Sequence, residues 1–322
     1  MKRGGTFFPL KKHSSWLARK PWLLPSALVL LVAAVAAGAI FLAMGGPAQG
    51  VGKRGTPISK SLVLDAWKQQ DMQKTLDLSR AGLLSKPLDT FFLSFEGIAA
   101  YYLSTGKPEG EERQSLLDEA VASIRKAMAT HESIPVKPQI EYVLGKAYYQ
   151  KGQPWYDLAV EYLELSKAHG YSSRDTEQYL ALAYVGLGMH DKAVTHFEEA
   201  LKSGKNDLLM LSAAMSYNEL GNEAKARELL DQAVATASDA VVTQKARYLL
   251  AGMAYKKGDL AGAKSLYSSI VEADSASADA WYWLGMIYEA EKDPIKARAA
   301  WRKATAINPN HVEARKKLAE KL

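Results

Sequence analysis

The chain has 322 residues, 48% hydrophobic and 24% charged, the balance of a folded protein rather than a disordered one. It contains no cysteine, which excludes disulfides, thiol nucleophiles and thiolate metal sites. The formal net charge of +6 is uneven: of the 41 Lys and Arg, the nine in residues 1–60 have no Asp or Glu beside them, leaving 32 basic against 35 acidic residues beyond, so the larger C-terminal part has no field to draw it to nucleic acid.

Residues 1–21 read as a basic cytoplasmic segment. Residues 22–44, WLLPSALVLLVAAVAAGAIFLAM, carry no charge. As a helix they would span about 34 Å, enough to cross a bilayer core. Pro25 sits in the first turn, where its missing N–H costs little, and Trp16 and Trp22 flank the end where interfacial aromatics are favoured. Basic residues precede the span at Lys2, Arg3, Lys11, Lys12, Arg19 and Lys20 and follow it at Lys53, Arg54 and Lys60. That bias predicts a signal anchor with the N-terminus inside and the C-terminal bulk across the inner membrane, in the bacterial periplasm. A cleaved signal peptide would have an apolar core of about 7–15 residues, shorter than this one. Residues 45–57, GGPAQGVGKRGTP, predict a flexible linker. Their likeness to a phosphate loop fails, because Pro47 and Arg54 occupy the places where that loop needs Gly and Ser or Thr.

From residue 58 the apolar residues recur at helical spacing, and no alternating strand-like run stands out. The pattern repeats. Trp301, Ala297, Asp293, Gly285 and Leu284 fall on Tyr267, Ala263, Asp259, Ala251 and Leu250 one step earlier, then on Leu230, Ala226, Asn222 and Ala214, then on Phe197, Ala193, Ala181 and Leu180. Upstream come Leu144, Gly145 and Tyr148 with Ala159, Leu163 and Ser166, and before them Ile98, Ala99 and Tyr102 with Ala120, Ile124 and Ala127. Each unit predicts two antiparallel helices. Small residues at Gly285 and Ala297 let the backbones approach, and aromatics at Tyr288 and Trp301 fill the space between pairs. Asp293 and Pro294 read as N-cap and first residue of a second helix, and Gly258–Asp259 and Gly221–Asn222 mark the same turn.

The last unit, with Trp281, Leu284, Gly285, Tyr288, Ala297, Trp301, Ala304 and Pro309, resembles the tetratricopeptide repeat (TPR) at every signature position. The resemblance implies an all-α, right-handed α-solenoid of six or seven helix pairs behind the single transmembrane helix. Residues 58–136 would hold degenerate pairs, residues 137–311 five repeats, and residues 312–322 a polar-faced capping helix for the last pair.

Such residues define a fold, not a ligand. An enzyme is not expected: His190 and His196, with Asp191 and Glu199 nearby, lack any catalytic or metal-binding spacing. No cofactor, metal or small-molecule substrate is implied. In the family the first helix of each pair lines a concave groove. Carrying those positions over gives Gln139, Tyr142, Lys146 and Tyr149, then Asn218, Lys245, Tyr248, Tyr255, Tyr282 and Met286. Asp175 occupies a groove position in the unit after Lys146. Aromatic, amide and Met side chains there suit a groove that grips a protein or peptide. Trp155 and Tyr156, in the insertion QPWY, are expected in the turn between paired helices and extend this contact surface. The reading is a membrane-anchored scaffold or assembly factor for a bacterial envelope complex of the secretion, cytochrome-maturation, pilus or flagellar-motor type. A periplasmic holdase beside the translocon is the alternative, and a regulatory subunit of a membrane enzyme a remote one.

Overall fold

The computed structural model describes residues 57–130, 133–134, 136–204 and 206–320. Every regular element among them is a helix. In order these are α1 (Lys60–Lys68), α2 (Met72–Ser85), α3 (Thr90–Thr105), α4 (Glu111–Met128), α5 (Lys137–Lys151), α6 (Tyr156–Ala168) and α7 (Thr176–Gly186). Then come α8 (His190–Ser203), α9 (Asp207–Glu219), α10 (Glu223–Thr236), α11 (Ala240–Lys256), α12 (Leu260–Ala273), α13 (Ala278–Ala290), α14 (Pro294–Ile307) and α15 (Val312–Ala319). The 22–44 span lies outside the described residues. Among the described ones, no helix is long and apolar enough to cross a membrane.

Local sequence sets the helix starts. Asn222, Asp259 and Asp293 each accept a hydrogen bond from the backbone N–H three residues on, at 3.2, 2.8 and 3.0 Å. Each cap satisfies one of the amides a helix start leaves unpaired. The residue before the cap must turn left-handed. Gly221 and Gly258 do so at φ +75° and +81°, which glycine adopts without steric cost. Lys292 takes the same place before Asp293 at φ +61°, where a side chain is strained.

The chain divides into two compact units, one ending at Met189 and one beginning at His190. Within the first, α3 packs on α4 and α5 on α6. Gly145 makes the second contact possible: a Cβ there would lie 2.7 Å from Leu163 Cγ and 3.0 Å from the Ala159 carbonyl oxygen. Gly97 plays this part in the preceding pair, facing Ile124 and the carbonyl of Ala120. The sequence register, which put Ala99 in that place, is therefore two residues late in this pair. Both Gly97 and Ala99 are small, and only the packing partner distinguishes them.

Within the second unit the pairs are α9/α10, α11/α12 and α13/α14, followed by α15. Gly285 lies directly under the Trp301 indole, with no room for a Cβ. Trp301 is fully buried, and its Nε1 donates to the Tyr282 carbonyl at 3.2 Å. Ala297, Trp301 and Ala304 of α14 share a core cluster with Ala314 of α15. The last helix thus covers the apolar face that the final pair would otherwise expose. Arg298 donates to the carbonyls of Leu318, at 3.0 Å, and Glu320, at 3.3 Å, and so ties the end of α15 back to α14.

Candidate protein-binding surface

The expected groove residues divide into two groups. In the first unit, Tyr142 and Lys146 are not surface residues: Tyr142 is 2% exposed and Lys146 7%. Lys146 Nζ donates to Asp175 Oδ2 at 2.8 Å and to the Tyr142 hydroxyl at 2.9 Å, and Tyr142 in turn donates to Asp175 Oδ1. The ammonium also lies 4.6 Å from the Tyr179 ring centroid and 5.6 Å from that of Tyr101. Side chains from α3, α5 and α7 and the turn before α7 therefore converge on one buried charge. The expectation of free binding residues is corrected here. The aromatic rings of successive pairs close over Lys146, and burial of a cation demands the carboxylate that Asp175 supplies.

The electrostatics match this geometry. Burial pushes the Asp175 carboxyl up, but the Lys146 charge and hydrogen bonds from Lys146, Tyr142 and Ser173 outweigh it and hold the group below its ordinary value. Burial likewise disfavours the Lys146 ammonium, yet Tyr101, Tyr179, Asp175 and Tyr142 hold it well above its ordinary value. Burial raises the Tyr149 phenol, whose ring meets Tyr179 edge-on at 5.3 Å and Tyr156 at 5.7 Å. Gln139 is half-buried, and its shielded Oε1 has no hydrogen-bond partner.

Trp155 and Tyr156 fold back. Tyr156 is the first residue of α6, not a turn residue, and its ring lies against Gly186 so closely that a Cβ there would clash. Trp155 stacks on Tyr148 at 5.8 Å and carries Lys151 Nζ 5.5 Å from its ring, although it remains 37% exposed. Both rings, at the cap and first residue of α6, thus pack within their own unit.

In the second unit the expected residues keep part of their surface. Asn218, Lys245, Tyr248, Tyr255, Tyr282 and Met286 are all half-buried. Tyr248 accepts a hydrogen bond from Trp283 Nε1 at 3.0 Å, and Tyr255 meets the Trp283 ring edge-on at 5.2 Å. Tyr282 lies 5.1 Å from the His311 ring, while Met286 packs against the Trp301 cluster. Lys317 of α15 pairs with Glu289 of α13 at 2.8 Å. Burial raises the Tyr255 and Tyr282 phenols; Glu289 adds to both shifts and Lys317 opposes both, so these four side chains share one neighbourhood across α11, α13 and α15. Burial pushes the Lys245 ammonium below its ordinary value. Among the described residues no cluster of three His, Asp or Glu side chains is arranged to hold a metal ion.

Two family models, both described as tetratricopeptide repeat, match residues 180–241 and 278–311. Residues 180–241 and 278–311 are therefore tetratricopeptide repeats. The second match takes in Gly285, Ala297 and Trp301, the residues whose packing joins α13 to α14. No curated protein matches the sequence. Among solved structures, the repeats are similar to the C-terminal part of a TPR repeat-containing protein from Cytophaga hutchinsonii: TM-score 0.59 at 15% identity, covering 81% of this chain and 100% of that one. They are also similar to YrrB, described as a TPR protein with an unusual peptide-binding site, at TM-score 0.48 and 23% identity over 62% of this chain and 98% of that one. A tetratricopeptide repeat protein from Parabacteroides merdae gives TM-score 0.45 at 17% identity, over 80% of this chain and 94% of that one. At 15% identity the first of these likenesses is one of fold.

Proposed function

We propose that this chain is a non-enzymatic scaffold or assembly factor for a bacterial envelope complex. Residues 22–44 anchor it in the inner membrane, with the N-terminus in the cytoplasm and the repeats in the periplasm. It binds a protein or peptide through the side chains that α11 and α13 leave half-exposed. The observation that supports this reading is the contrast between the two units. Tyr142 and Lys146 are consumed by an internal ion pair, whereas Tyr255, Tyr282 and Met286 retain surface beside the Glu289–Lys317 pair. Aromatic and Met side chains on a rigid helical face give large contact area at small entropic cost, which is the chemistry of interface anchors.

Two measurements test it. A reporter active only in the periplasm, fused after Leu322, is expected to be active; activity of a cytoplasm-only reporter at that site would overturn the topology. Crosslinking in native membranes, followed by mass spectrometry, is expected to return one partner at fixed stoichiometry. A broad set of unrelated newly translocated chains would replace the scaffold with a holdase.

A further inference from the structure

Single exposed apolar residues are ordinary on a protein surface. The turn between α2 and α3 holds more than that. Leu84, in the last turn of α2, is 88% exposed, and Leu88, four residues later, is 61% exposed. Between them stand exposed Ser85, Lys86 and Pro87, and Lys86 has no ion pair among the described residues. The turn is fixed in place. Lys60 Nζ lies 3.2 Å from Asp89 Oδ2 and 5.2 Å from the Phe91 ring centroid, so the start of α1 is held against the residues that follow Leu88. Lys60 opens α1, three residues beyond the linker. Twelve residues, 45–56, separate the apolar span from the first described residue. Even fully extended, twelve residues reach at most about 43 Å. The tether therefore keeps the two leucines at high effective concentration beside any bilayer that the span enters. The charge left over at the turn is positive: Lys86 has no ion pair among the described residues, while Asp89 is engaged by Lys60.

We propose that the Leu84–Leu88 turn docks onto the anionic lipid surface of the membrane in which residues 22–44 are anchored, inserting the two leucines among the acyl chains while Lys86 meets the headgroups. The inference rests on the membrane-anchor reading above. Two apolar side chains flanking a lysine suit the interfacial zone, where leucine gains from lipid and each basic residue gains from an anionic surface. Docking there would hold the first unit against the bilayer.

The absence of cysteine allows a single label. Full-length Leu88→Cys, carrying an environment-sensitive fluorophore, is reconstituted into vesicles of mixed phosphatidylcholine and phosphatidylglycerol. Leu187→Cys, after the last helix of the same unit, is the control. The label at residue 88 is expected to be quenched by brominated lipid and shielded from iodide, and the label at 187 to remain open to iodide. Adding Lys86→Ser, or using phosphatidylcholine alone, is expected to lower the ratio of docked to undocked label about fivefold. If the full chain does not float with vesicles, the anchor reading fails and the docking fails with it. If it floats but the label at 88 stays open to iodide and insensitive to brominated lipid, docking alone is overturned. Shielding from iodide without lipid quenching would show that protein, a second copy or a partner, covers the turn, and would also overturn the proposal. Equal lipid quenching at 88 and 187 would show non-specific adsorption and overturn it too.

Discussion

Replacing Lys146 by Met isolates the charge at the centre of the first unit. The methionine fills a similar volume but leaves the Asp175 carboxylate, only 15% exposed, without its cation. Breaking a buried pair on one side costs about 3–5 kcal/mol. The lower end applies here, because Tyr142 and Ser173 still hydrogen-bond to Asp175. A loss of about 3 kcal/mol corresponds to a fall of roughly 10 °C in the transition of a unit this size. Helix-pair arrays can melt in stages, so hydrogen exchange across residues 137–186 is the cleaner assay. Protection there is expected to fall, while that of residues 240–307 stays unchanged. The pH dependence supplies a sign. In the wild type the folded Asp175 pKa is depressed, so its stabilisation is present above the unfolded carboxylate value and is lost as pH falls through the folded one. The raised Lys146 pKa adds stability that is present below the unfolded lysine value and is lost only as pH rises through the folded one, leaving a plateau across neutral pH. In Lys146→Met, burial dominates Asp175 and raises its folded pKa, so acidification should stabilise the variant relative to the wild type. A double variant with Asp175→Asn should recover much of the loss. A Lys146→Met protein that melts with the wild type and keeps its acid slope would refute the reasoning.

Three further outcomes are expected. Ala297→Asp buries a charge among Trp301, Ala304 and Ala314 and should cost several kcal/mol, seen as early proteolysis within residues 278–320. Gly145→Ala drives a methyl into Leu163 and the Ala159 carbonyl; overpacking of about 1–3 kcal/mol should exceed the helix-propensity gain and lower the melting temperature. Lys292→Gly relieves the left-handed backbone before Asp293 and should stabilise the last pair by about 0.5–1 kcal/mol, read as slower exchange in α14.

What the sequence disclosed, and what it withheld, follows from the range of the interactions. Asp293, Asp259 and Asn222 cap the next few residues, so their role is visible in a short window. Gly285 and Trp301 belong to one repeat and recur at a fixed spacing, so the pairing of α13 with α14 was legible too. The burial of Lys146 depends on Tyr179 and Asp175 from the next pair and on Tyr101 from the one before. Groove positions taken one repeat at a time do not show this pairing; across neighbouring repeats Lys146 and Asp175 stand as opposite charges. The fate of Trp155 and Tyr156 was hidden for a related reason, since the surfaces that receive them, Tyr148 and Gly186, lie in other helices. In the 88–136 stretch two small residues, Gly97 and Ala99, fit the pattern, and only Ile124 decides between them.

Partner binding through the second unit is tested most directly by site-specific photocrosslinking. A photoreactive phenylalanine analogue replaces Tyr255 or Tyr282 in the full-length chain, in native membranes, with Ile295, exposed on α14, as the comparison site. Both tyrosine positions are expected to capture the same protein at fixed stoichiometry, and Ile295 to capture none of it. Capture of a partner from Ile295, with none from Tyr255 or Tyr282, would contradict binding at the α11–α13 face.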